Sequence, residues 1–113
     1  MTAKTEGVQT GEFLVSEANG TLSRESATIT GGSYPAGQVL GMITSSKKYT
    51  AYTSGASNGS QNAAAILYSA VDASSADASG AIVARYAEVS GGSLTGSDAT
   101  AITKLAEKGI IIR

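Results

Sequence analysis

The chain has 113 residues, with 8 lysines and arginines against 9 acidic residues, no histidine and no cysteine, for a net charge of -1. That length fits one domain, which buries about two-thirds of the surface its unfolded chain exposes. No block of like charge supplies a phosphate-binding footprint, so nucleic acid is not expected as a direct partner. Disulfides cannot supplement the small core, which makes oligomerisation the expected source of extra stability.

The first residues carry no apolar signal-peptide core and no apolar run is long enough to span a bilayer. The expectation is a soluble protein made in the cytoplasm, with no membrane partner. Fourteen glycines, one proline, five tyrosines and one phenylalanine describe a turn-rich chain whose core is built from small residues.

Residues 1–11 are polar and aperiodic, with glycine at Gly7 and Gly11 and only Val8 as an apolar grip. They read as a mobile arm, and residues 12–113 as a single β-rich domain. Phe13-Leu14-Val15 is a short apolar patch that is either the first core strand or the anchor of the arm. Asn19-Gly20 marks a hairpin or sharp corner. Ala27-Thr28-Ile29-Thr30 alternates as a strand does and stops at Gly31-Gly32.

Tyr34-Pro35-Ala36-Gly37 is a turn in which Pro35 fixes one φ angle and Gly37 permits a tight bend. Val39-Leu40-Gly41-Met42-Ile43 is apolar on both faces, which predicts a buried strand, and Gly41 within it predicts a bulge or a close backbone crossing. Residues 47–53 alternate again, and residues 54–62, rich in Gly, Ser and Asn, read as a surface loop. Residues 63–70 favour helix by propensity, yet the run is short and continuously apolar through Ala65-Ile66-Leu67-Tyr68. A buried strand ending at Val71-Asp72 is the better reading.

Residues 74–79 form a polar turn, and residues 81–89 then read as one long strand up to Gly91-Gly92. A helix is expected over residues 97–108, capped by Ser97 or Asp98, with Ile102 and Leu105 facing inward and Lys104 and Lys108 wet at its negative end. Gly109 stops it, and Ile110-Ile111-Ile112 returns to the sheet as a last strand.

Without histidine or cysteine, serine triads, cysteine dyads and the usual zinc sites are out of reach. The carboxylates are scattered singly at turns and caps, which suits solvated surface better than a paired catalytic site. Asp72 and Asp77 bracket too few oxygen ligands for calcium, so turn stabilisation is the simpler role. No glycine turn ends in the Lys-Ser or Lys-Thr of a phosphate loop, and no cofactor is expected. Arg85, among apolar strand residues, either makes an ion pair with Glu88 or Glu25, contacts another subunit, or lies on a wet face. The five tyrosines fit rings packed in the core with wet hydroxyls, although Tyr49, Tyr52 or Tyr68 would serve as the platform of a carbohydrate-binding or adhesive β module.

In order and spacing, Glu12-Phe13-Leu14, Ser23-Arg24-Glu25, Ala36-Gly37-Gln38-Val39-Leu40-Gly41, Ala65-Ile66-Leu67, Val71-Asp72-Ala73, Arg85-Tyr86-Ala87-Glu88-Val89 and Gly109-Ile110 resemble the head decoration proteins of tailed bacteriophages, the lambda protein D family. The likeness runs from about Glu12 to Arg113, and residues 1–11 carry no pattern that aligns. The resemblance implies a mainly β, small β-clip or barrel-like domain with one C-terminal helix. It also implies a non-enzymatic homotrimer on the outer surface of the expanded head, at local three-fold sites, holding the major capsid protein against DNA pressure. Thr5, Val8, Phe13, Leu14 and Val15 become the candidate capsid contacts, with Pro35, Gly37 and Gly41 as structural turn and bulge positions.

Overall fold

In the computed structural model the described residues are 14–17 and 24–112, with main chain alone at 15–17. The strands are β1 (Leu14–Glu17), β2 (Arg24–Ile29), β3 (Ser33–Tyr34), β4 (Val39–Met42), β5 (Tyr49–Ala51), β6 (Ala63–Leu67), β7 (Val71–Asp72), β8 (Ala78–Val83), β9 (Ala87–Val89) and β10 (Ile110–Ile112). One 3-10 turn (Gly91–Ser93) and one helix, α1 (Ala99–Ala106), complete the set. The expected arm over residues 1–11, Phe13 and the Asn19-Gly20 corner lie outside the described residues.

Five strands close a barrel in the order β2-β5-β4-β6-β8, with β8 returning to β2. Alternation along these strands builds two cores. Ile29, Leu40, Ala65, Leu67, Ile82 and Ala84 cluster together from β2, β4, β6 and the end of β8, and fill the barrel. The intervening residues Val39, Ile66 and Val83 point the other way, where they meet Ala87, Val89, Ala101, Leu105 and Ile110. Thus α1 and a three-stranded sheet, ordered β1-β9-β10, pack on the outside of the barrel wall. Within that sheet β1 runs antiparallel to β9 and β10 runs parallel to it, the latter joined to β9 by a crossover through α1.

The alanine-rich run at residues 63–67 is a strand despite its helical propensity, because neighbours on both sides bury it: Ala63, Ala65, Ile66 and Leu67 are all at most 3% exposed. Its expected continuation to Val71-Asp72 is instead the separate β7, which pairs with β3. The strand expected over residues 81–89 is also two. Tyr86 takes φ 52°, and the chain leaves the barrel at β8 and enters the outer sheet at β9. A period-two pattern survives such a corner, so alternation alone could not reveal it. Residues 47–48 show a similar interruption: Lys47 has φ 62° and follows the turn at residues 44–46 that leads into β5.

The helix is shorter than residues 97–108. Asp98 caps it, its side chain accepting from the Ala101 amide, and Ala101 and Leu105 are its fully buried residues. Ile102 does not face inward as expected; it is 42% exposed, because the stripe that meets the barrel runs through Ala101 and Leu105, at i and i+4, and leaves Ile102 beyond its edge.

Candidate functional site

Of the residues expected to reach a capsid, Thr5, Val8 and Phe13 lie outside the described residues, and Val15 is described in main chain only. Leu14 is half-buried and packs against the core shared by α1 and the barrel wall. The first strand therefore belongs to the outer sheet, its register running Leu14 to Val89, Ser16 to Glu88 and Glu17 to Ala87 with an irregularity after Leu14.

The glycine positions show where backbone meets backbone. At Gly37 (φ 89°) a Cβ would stand 2.6 Å from the Ser93 carbonyl oxygen. The turn there is held by the Gln38 amide donating to Pro35 O, the Gly37 amide to Leu67 O and the Thr95 amide to Gly37 O. Buried Gln38 donates from Nε2 to the carbonyls of Val39 and Thr95, which ties the barrel entrance to the segment leading into α1. At Gly41 a Cβ would lie 2.5 Å from Ser60 O and 2.6 Å from Ser60 Cα. Beside it the β4–β6 register slips, Leu40 facing Ala65 and Gly41 facing Ala63, so the extra residue, Ala64, is in β6.

Polar groups pair locally. Arg85, in the bend that follows β8, bonds Glu25 of the neighbouring β2, both half-exposed. Lys48 bonds Asp77, and hydrogen bonds from Lys48 and Thr30 hold that carboxyl below its ordinary value. Asp72 accepts from the Ser74 hydroxyl and amide, which lowers it as well; Asp72 thus stabilises its own turn, whereas Asp77 ties together segments distant in sequence. Among the described residues no group of three or more acidic side chains converges as a metal site would require.

Two of the three tyrosines offered as a sugar platform, Tyr52 and Tyr68, are covered. Tyr52 is 7% exposed, and its hydroxyl donates to Asp98. The Arg24 guanidinium covers the Tyr68 ring at 4.4 Å. Tyr49 is half-buried, and burial first, then the Glu25 charge, pushes its hydroxyl pKa up. Beside it Glu25, Arg85, Tyr86, Glu107 and Lys108 line a hollow of about 530 Å³. The exposed apolar side chains missed in the sequence are Tyr86 and Ile111, at 55% and 39%. Their alternation with buried neighbours was visible, but the corner that turns Tyr86 out and the sheet that places Ile111 were not.

The geometry is that of a framework: a closed barrel, a sheet docked on it, and paired surface charges. The sequence profile of the bacteriophage lambda head decoration protein D family matches residues 3–110. The chain belongs to that family. Decoration protein D and its relatives are structural proteins of the phage capsid, and the role of this one is in decorating the head. The family match begins at residue 3, well before Glu12, and so takes in most of the stretch that showed no aligned pattern in the sequence. Comparison with curated individual proteins gave no match.

Proposed function

We propose that this decoration protein binds as a homotrimer to the outer surface of the expanded head, at local three-fold sites, and fastens the major capsid protein against the pressure of packaged DNA. The observation that carries the reading is the family match, which spans residues 3–110 and so includes the N-terminal stretch as well as the barrel. Residues 1–11 act as an arm, with Thr5 and Val8 on it and Phe13, Leu14 and Val15 at its root as the capsid contacts. Because β1 is fastened to β9, a contact made by the arm is transmitted directly to the folded body. Three arms on one trimer turn weak contacts into firm attachment, since once the first has docked the others bind at high effective concentration.

Deleting residues 1–11 tests this. The melting temperature should stay close to that of the full chain while cosedimentation with expanded heads falls sharply. Truncated protein that decorates heads with full affinity would place the binding surface on the barrel and overturn the role of the arm.

A further inference from the structure

The barrel closes where β2 meets β5, through the single pair of Ile29 with Tyr49. Among the described residues the outer sheet ends in two open edges, the outer flanks of β1 and β10, on its opposite sides. They differ in character. β1 has an irregularity after Leu14 and ends in Glu17, which leaves it a short edge with a charge at its end. β10 is three isoleucines in succession, without charge, proline or bulge, and Ile111 is 39% exposed. The Ala87 amide donates to Gly109 O, so Gly109 and Ile111 turn their main-chain groups toward β9. By strand alternation Ile110 and Ile112 turn theirs outward. An apolar strand of high β-propensity with an outward row of donors and acceptors is a template for another chain.

We propose that the outer edge of β10 is the subunit contact of this protein, and that its occupant is β1 of a second copy. Strand polarity selects that occupant. β10 runs with β9 and β1 runs against it. Rotation about an axis along the strands preserves those directions, so a neighbour's β1 arrives antiparallel to β10, the more stable pairing. Joining two different edges is a heterologous contact, which closes into a ring where the rotation between subunits divides a full turn, as the trimeric reading supplies, whereas β10 against β10 would stop at a dimer. The assignment rests on the trimeric reading above and gives it an interface. It also brings the neighbour's arm, which precedes β1, to the rim of the same joint.

The natural chain has no cysteine, which permits a clean cross-linking test. S16C, I111C and the double variant would be treated with a bismaleimide long enough to tolerate a register slip of two residues, about 7 Å. Each would be treated free in solution and bound to expanded heads, with circular dichroism confirming the fold. The double variant should yield a covalent trimer and the single variants none. In the unmodified protein, Ile110 and Ile112 amide exchange should slow as trimer forms. Dimers from I111C alone would establish β10–β10 pairing and overturn the proposal. If the unmodified protein sediments as a trimer while these two amides exchange as fast as in the monomer, the interface lies elsewhere and the trimer stands. Sedimentation as a monomer, with no cross-linked species on heads, would remove the trimer and the interface together. Should the double variant misfold, the exchange rates of the unmodified protein decide.

Discussion

The Tyr52 hydroxyl donates to both carboxylate oxygens of Asp98, at 3.0 and 3.1 Å, while Asp98 accepts the Ala101 amide at 2.8 Å. One carboxylate thus caps α1 and fastens its start to the chain leaving β5, forty-six residues away in sequence. Asp98→Ala should cost about 0.5–2 kcal/mol as a lost N-cap. Tyr52→Phe should lower the denaturation midpoint too, and the double variant should lose less than the sum, because both remove the same contact. Strict additivity in a denaturant double-mutant cycle would show that cap and tie act separately.

Gly41→Val should destabilise the protein by about 1–3 kcal/mol, since the new side chain must displace the Ser60 backbone rather than a movable side-chain tip. Gly55, where an added Cβ meets nothing within 4 Å, is the control. Urea midpoints that fall equally for Gly41→Val and Gly55→Ala would refute the close crossing.

Leu105→Ala should cost about 2–5 kcal/mol, because the side chain is fully buried between α1 and the barrel wall. Ile102→Ala, three residues earlier on the exposed flank, should cost much less. Thermal or chemical unfolding of the pair distinguishes the observed stripe from the one that sequence spacing suggests.

Stability should fall at both ends of the pH scale. Asp72 and Asp77 have folded pKa values below their ordinary 3.8, so near that pH the unfolded chain binds more protons. Their contribution is present above the unfolded value and is lost as pH falls through the lowered one. Tyr49 and Tyr52 have folded values above 10.0, raised first by burial. Their contribution is present below 10.0 and is lost as pH rises toward the raised values. Melting curves across pH should show Asp77→Asn flattening the acid limb and Tyr52→Phe the alkaline one.

Local chemistry made much of this fold legible. Turn glycines, the apolar run at residues 63–67, the cap at Asp98 and the final isoleucine strand all carry signals within a few residues of where they act. Arg85 was one option among three, and its pairing with Glu25 needed the β2–β8 alignment to be seen. The corner at Tyr86 was hidden because alternation continues through it. Ile102 was misplaced because spacing finds a stripe but not its centre, which the barrel wall decides. The tie between Tyr52 and Asp98, and the proposed joint at β10, depend on neighbours brought in by topology, about which no short window of sequence speaks.

The seam between β2 and β8 also governs how the protein is made. Arg24 faces Val83 at one end of it and Ile29 faces Ala78 at the other, so every pair in the longest ladder joins the two halves of the chain. Such pairing must meet the entropy of closing a long loop before its contacts contribute. Folding should accordingly be limited by barrel closure, on the millisecond-to-second scale of nonlocal β proteins rather than the microseconds of helical bundles. Until the seam forms, β2 and β8 are themselves exposed edges, and the interval before closure is when the chain is most open to aggregation.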